Sequence, residues 1–358
     1  MRVYYIGSGL QGCYLVRCLL PLQENGWDGD QTSLNPEAKT PENKVWACQN
    51  ADILTFHRPE DAGKLEAARR FKLLGKKIVF DNDDTYKDAG GYRLNEFMDK
   101  ERLDRGLKTL NESVDAFIKE ADLVTCSTEY LAKEYRELNP NVVVLPNCVD
   151  PFLYDEPLKN DTDVVRIGIV GSIGVTADML IAEKIIRHFE GRKDIRFVLF
   201  SLPPQHHDKI TRELYSDEYK FLETADLEWH PFVPMEQYYS KLNELRLDMA
   251  IIPRADNYFN RCKSNLKFLE MSMFEIPVIA QGFEDGMSPY QVDKDDEKHM
   301  QIILNNDDWI PAIEALAKDK NKREEMGKKA REYVTEKYDI KNNAHKWEDA
   351  YKTIWNEK

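Results

Sequence analysis

The residues with most chemistry to offer lie between Asp248 and Gln281, DMAIIPRADNYFNRCKSNLKFLEMSMFEIPVIAQ. Asn260, Arg261, Lys263 and Ser264 precede an apolar stripe at Leu266, Leu269 and Met273. That i, i+3, i+7 spacing predicts a helix from about Asn265 to Phe274, with Ser264 as its N-cap. Unpaired N–H groups at a helix start favour phosphate, and two nearby cations strengthen the preference, so the segment suits a diphosphate. Glu270 projects from the edge of the buried stripe less than two turns further on. A carboxylate there can accept both hydrogens of a ribose cis-diol, or it can simply pair with Lys267 or Lys263. A second group is acidic: IVFDNDDT sets Asp81, Asp83 and Asp84 at the tip of one apolar run. Three carboxylates so close repel one another, and water, a cation or substrate hydroxyls must offset the cost. A third group is glycine-rich, with Gly7, Ser8, Gly9 and Gly12 following VYYI in the GxGxxG pattern of dinucleotide-binding folds.

The elements that must position these groups are short. Met249–Pro253 and Pro277–Ala280 are apolar runs of the kind buried on both faces of a parallel sheet, joined here by one crossover helix. VVRIGIVGSIG, from Val164 to Gly174, restarts a strand and glycine turn after the charged, proline-containing segment Asp150–Asp163, which reads as a linker. In the first half, VYYI, Val45–Cys48, ADILTFHRP, KKIVFDN, ADLVTCST and NVVVLPN read as strands. The expected fold is α/β, with two Rossmann-like doubly wound halves facing each other across a cleft: residues 1–152, completed by a C-terminal helix at about 338–358, and residues 153–337. In that tail Trp347, Tyr351, Ile354 and Trp355 form an aromatic stripe suited to core packing.

Composition narrows the class. The 358 residues carry a net charge of −14, which argues against a basic nucleic-acid domain, and the basic run ARRFKLLGKK (Ala68–Lys77) reads as the solvated face of a helix. No apolar run reaches the roughly 20 residues of a membrane span, and six cysteines show no CxxC pair or zinc-ligand spacing. A soluble cytoplasmic protein, peripheral to a membrane at most, with free thiols and no metal, is expected.

PRADNYFNRCKSNLKFLEMSMFEIPVIA resembles the donor-binding segment of GT-B glycosyltransferases of the retaining family-4 type. The resemblance covers nearly the whole chain and is sharpest at Phe259–Ala280. It implies transfer of a sugar from a UDP- or GDP-sugar to a hydroxyl acceptor on a glycan, a lipid-linked saccharide or a hydroxymethylated DNA base, with no tightly bound cofactor. It gives Glu270 the ribose, and the backbone at Ser264, Asn265 and Leu266 the diphosphate. Gly171 and Ser172 come near the donor phosphate, and Phe232 near the nucleobase. The family's Arg/Lys pair after the Gly171 strand is missing, so Arg254, Arg261 or Lys263 must supply positive charge. Cys262 stands where many members carry a sugar-contacting glutamate, leaving Asn260 or Lys263 as substitutes. Asp83 and Asp84 align with a His-Asp tip; together with Lys263 they are the candidate catalytic groups, while Gly7, Ser8, Gly9, Arg58 and Asp81 are candidates for the acceptor side of the cleft.

Three alternatives stand beside this reading. IVFDNDDT fits the DxDxT pattern of haloacid-dehalogenase-type phosphatases, with Asp81 as nucleophile and Asp83 as acid. GSGLQG suits an NAD-linked oxidoreductase, although no acidic residue is evident at the end of a second strand. A nucleotide-sugar-binding module without turnover is the third.

Overall fold

Ile53–His57 and Met249–Ile252 are buried at every position, the mark of strands covered by helices on both faces. The computed structural model describes residues 1–7, 12–30, 41–85, 87, 100–171, 176–201 and 220–355, and it places such strands in two parallel sheets of six. The first contains β1 (Val3–Ile6), β2 (Asp28–Gly29), β3 (Ile53–His57), β4 (Lys77–Asn82), β5 (Leu123–Cys126) and β6 (Val142–Val144), in the order β2-β1-β3-β4-β5-β6. The second contains β7 (Val165–Val170), β8 (Ile195–Phe200), β9 (Leu227–His230), β10 (Met249–Ile252), β11 (Val278–Gln281) and β12 (Gln301–Ile303), in the order β12-β11-β10-β7-β8-β9. Strand order reverses between β1 and β3 and between β7 and β10, and in such sheets the crevice for a ligand opens at the carboxyl ends beside the reversal.

The second strand differs from expectation. Val45–Cys48 belongs to the helix Pro41–Asn50, with Cys48 buried and Val45 and Trp46 exposed, whereas β2 is the two-residue pairing of Asp28 and Gly29 with Tyr4 and Tyr5. A strand that short carries no periodic signal.

Two connections join the halves. Beyond Leu153, Tyr154 packs on Tyr239 and Phe274, with ring centroids 4.3 and 5.2 Å away, so this part of the linker lies on the second sheet's unit. The helix Lys320–Tyr338 packs so closely beneath the helix Leu266–Met273 that a side chain on Gly327 would strike the Glu275 carbonyl. The chain then crosses back. Val149 N–H donates to Tyr338 at 2.9 Å and Ile340 N–H to Val149 at 2.8 Å, and the helix His345–Trp355 lands on the first sheet. There the hydroxyls of Tyr351 and Tyr5 are 2.8 Å apart and Tyr351 stacks on Trp27 at 5.2 Å.

Candidate functional site

The carboxyl ends of β1, β3 and β4 face those of β7 and β10 across a cleft of about 560 Å³, within the usual range for ligand pockets. Gly12, Cys13, Arg58, Asp83 and Asp84 line it from the first half. Gly171, Arg254, Lys263, Ser264, Leu266, Lys267 and Glu270 line it from the second, with Phe232, Met235, Tyr238 and Tyr290 around them.

Glu270 is almost fully buried on the cleft side of the helix Leu266–Met273. Its Oε2 accepts from Lys267 Nζ at 2.7 Å and from the Tyr238 hydroxyl at 3.3 Å, and Lys267 Nζ also donates to that hydroxyl at 2.9 Å. Burial pulls the Lys267 ammonium down, but Glu270 and Tyr238 outweigh it and hold the group well above the usual lysine range. Burial and Glu270 push the Tyr238 hydroxyl up, so it stays a donor. Lys267 crosses the end of β7, where Gly171 has φ +129° and an added Cβ would sit 3.2 Å from Lys267 Cε. A side chain there would be strained and would crowd the ammonium stem. In the sequence Lys267 is legible only as a partner for Glu270; its place in the cleft depends on the turn at Gly171. Gly12 belongs to the GxGxxG pattern, whereas Cys13, Met235, Tyr238 and Tyr290 carry no sequence signal, since only tertiary packing brings them to the cleft.

The cations before this helix separate. A short helix, Tyr258–Cys262, capped by Asn257 through a 2.8 Å bond from Asn260 N–H, occupies what reads as loop in the sequence. It turns Asn260 inward, where the wholly buried amide donates to Asp178 at 2.8 Å and to the Ala255 carbonyl at 2.9 Å. It turns Arg261 outward, into a fork with Asp256 at 2.6 and 2.7 Å and a contact with Asp285 at 2.6 Å. Neither residue lines the cleft. Arg254 does line it, with Nη1 donating to Asp178 at 2.8 Å; Asp178 also accepts from Ala255 N–H at 2.7 Å and so holds this loop in place. Cys262 is buried among apolar residues of the first half, and its carbonyl accepts from Thr128 at 3.2 Å.

Ser264 is not the N-cap. The helix starts after Asn265, whose amide is turned to Asp296 and to Tyr338 at 3.2 Å, leaving Ser264 Oγ to accept from Leu266 N–H at 3.4 Å and from Asn147 Nδ2 at 2.9 Å. Asn265 is thus engaged away from the cleft, whereas Ser264 and Leu266 line it.

Across the cleft the acidic tip is partitioned by depth. Asp81 is fully enclosed: Arg17 donates to its two oxygens at 3.2 and 2.6 Å, Thr125 Oγ1 donates at 2.6 Å and His57 Nδ1 lies 3.0 Å away. Burial pushes its carboxyl up, yet Arg17 and His57 hold it below the usual range. With both oxygens engaged and no exposure, Asp81 is neither an acceptor contact nor a phosphatase nucleophile. Cys18 and His57 come within 4.8 Å of it, but an added metal ion would face the Arg17 guanidinium. The cost of the clustered carboxylates is offset by protein cations. Arg58, in the left-handed region at φ +48°, donates to Asp83 at 2.9 Å and to Asp84 at 3.4 Å, and Lys263 reaches Asp84 at 3.2 Å from the second half. Burial raises the Asp83 carboxyl, but Arg58 first and His57 next hold it well below the usual range.

Gly7 donates its N–H to Asp30 at 3.2 and 3.3 Å and does not line the cleft. A Cβ on it would lie 2.1 Å from the Tyr14 ring, so this glycine makes room for Tyr14 rather than for a ligand. Asp30 is also the acidic residue after β2 that the sequence conceals. Its carboxylate is taken by Gly7 and by the Tyr14 hydroxyl at 3.5 Å, and Tyr14 fills the space beside the turn, which leaves a dinucleotide ribose without its partner. Ser8, Gly9 and Ser172 lie outside the described residues.

No protein-family model matches the chain, and no curated protein matches it. Among solved structures, the chain is similar to Anabaena HepE in complex with UDP and glucose, at 11% identity over 98% of this chain and 99% of HepE, with a TM-score of 0.65. It is similar to a glycosyltransferase from Rickettsia africae at 11% identity over 100% of this chain and 99% of the other, with a TM-score of 0.63. Its match to TarM of S. aureus has 16% identity and a TM-score of 0.57, and covers 84% of this chain but only 54% of TarM, about half that protein's length. Likeness at these identities is likeness of fold: the two doubly wound halves have the GT-B architecture of these glycosyltransferases.

Proposed function

We propose that the chain is a retaining glycosyltransferase that moves a sugar from a nucleoside-diphosphate sugar to a hydroxyl acceptor. The observation that supports it best is the triangle of Glu270, Lys267 and Tyr238 beside Gly171, at the strand-order reversal of the second sheet. Glu270 takes the ribose hydroxyls, while Lys267 and Arg254 neutralise the diphosphate; these two stand in for the Arg/Lys pair that the chain lacks. HepE, which shares the fold, is solved with UDP-glucose, so a uridine donor is the first to try.

In the reaction the bond from the anomeric carbon to the phosphate oxygen breaks, and a bond to the acceptor oxygen forms on the same face. The acceptor proton passes to the departing phosphate oxygen. Asp83, held ionised by Arg58, and its neighbour Asp84 orient the acceptor hydroxyl, and Lys263 bridges from Asp84 toward the leaving group. Protein cations supply the charge this step needs, and the scheme calls for no metal. Cys262 faces the first half instead of the cleft, so the donor sugar lacks the family's usual carboxylate, and this favours a second reading as a binding module without turnover.

Calorimetry with UDP and GDP tests the donor site: Glu270→Ala is expected to weaken binding at least about tenfold, the scale of a lost charged hydrogen bond. Equal affinity in the variant refutes the site. Release of nucleoside diphosphate from nucleotide-sugars, with or without acceptor, separates turnover from mere binding.

A further inference from the structure

The basic run Ala68–Lys77 does more than face solvent. The helix Ala62–Leu73 ends in Leu73, 87% exposed, and is followed by Leu74, 63% exposed. The turn after them packs on the end of the helix Pro41–Asn50, where Lys76 Nζ donates to the carbonyls of Gln49 and, at 2.7 Å, Ala51. One turn back on that helix, Trp46 is 65% exposed and Val45 is exposed beside it. Three large apolar side chains in water at one corner are more than the isolated leucines that surfaces commonly carry.

Their surroundings are basic. Between Lys64 and Lys77 stand six cations and one carboxylate, in a chain of net charge −14. Glu120 pairs with Arg69, Asp122 lies 3.6 Å from Lys72 and 3.7 Å from Lys77, and Glu66 pairs with Arg70. Asp61 lies 3.8 Å from Lys64, and with all four acids counted against the six cations the corner remains cationic.

We propose that this corner docks on an anionic lipid surface, with Leu73, Leu74 and Trp46 entering the headgroup boundary and the surrounding cations meeting lipid phosphates. Nucleic acid would use the cations and leave the leucines in water. A second copy meeting this corner about a twofold axis would set like charges against each other. No helix among the described residues is long and apolar enough to cross a membrane, so the contact is one of surface docking. The corner adjoins the start of β4, and the cleft residue Asp83 follows the other end of that strand. Six residues of strand separate the two by about 20 Å, so docking leaves the cleft uncovered and stands apart from the proposed reaction.

Flotation of the whole chain, without any sugar donor, against vesicles of phosphatidylcholine alone or with roughly one-third phosphatidylglycerol tests this. Partition to the anionic vesicles that weakens with salt is expected. The double variant Leu73→Glu/Leu74→Glu should lose at least about tenfold in partition with its circular dichroism and melting unchanged. Arg70→Gln/Lys76→Gln should bind less and respond less to salt. The proposal falls if the protein stays off both vesicles, if it binds neutral and anionic vesicles alike, or if the leucine variant partitions like the parent. It also falls if the same variant abolishes a concentration-dependent dimer, which would assign the corner to a second copy.

Discussion

The acidic tip of β4 and the Lys267–Glu270 pair after β10 are built from the same ingredients, carboxylates and cations at the carboxyl end of a central parallel strand, yet they differ in access. Asp81 receives Arg17, Thr125 and His57 in full enclosure. Glu270 has as its partners a lysine and a tyrosine that themselves border the cleft. The first arrangement leaves no lone pair to offer a ligand. The second keeps a charge pair at the boundary, where a ligand with opposing groups can divide it between phosphate and ribose.

Four changes probe that contrast. Arg17→Met should be the most damaging, removing about 3–5 kcal/mol of stability at neutral pH, because it leaves the Asp81 carboxylate buried and without its cation. Its pH dependence carries a sign. Asp81 and Asp83 have folded-state values below their unfolded ones, so their contribution is complete above the unfolded carboxylate value of about 4 and is lost as pH falls through the depressed folded values. Melting temperatures of the parent should therefore drop in acid, while the deficit of Arg17→Met should shrink as Asp81 takes a proton. A deficit that grows in acid would break the account of this tip.

Lys267→Met should act on the opposite axis, costing roughly 1.5–3 kcal/mol in nucleoside-diphosphate binding by calorimetry with a smaller effect on folding. If stability falls as far as in Arg17→Met, the two sites are alike after all. Gly171→Ala should cost about 1–2 kcal/mol of stability from its φ of +129° and should weaken the same binding by pressing on the Lys267 stem. The smallest effect is expected at Lys263→Gln. Its pair with Asp84 is partly exposed, so the change should cost below about 1 kcal/mol, less at high salt, in chemical denaturation.

Much of the architecture was legible in the chain. Runs such as ILTFH and MAII are apolar at successive positions because parallel strands are covered on both faces, so strand identity is written locally. β2 was not legible, since two residues held by β1 carry no pattern of their own. Within the site, Glu270 stood out because a charge on a buried stripe is costly wherever the helix lands. The roles of its neighbours did not. Asn260, Arg261 and Lys263 are close in sequence and equally polar, and only the short capped helix decides that the first ties a loop, the second faces acids on the surface and the third enters the cleft.

Asp81, Asp83 and Asp84 make the same point. Sequence determined that three carboxylates would share one strand tip, a consequence of chain connectivity. Which of them is sealed and which faces the cleft depends on Arg17, Arg58 and Lys263, from three distant stretches. Electrostatic partners act through space over a few ångströms, and tertiary structure alone brought those groups that near.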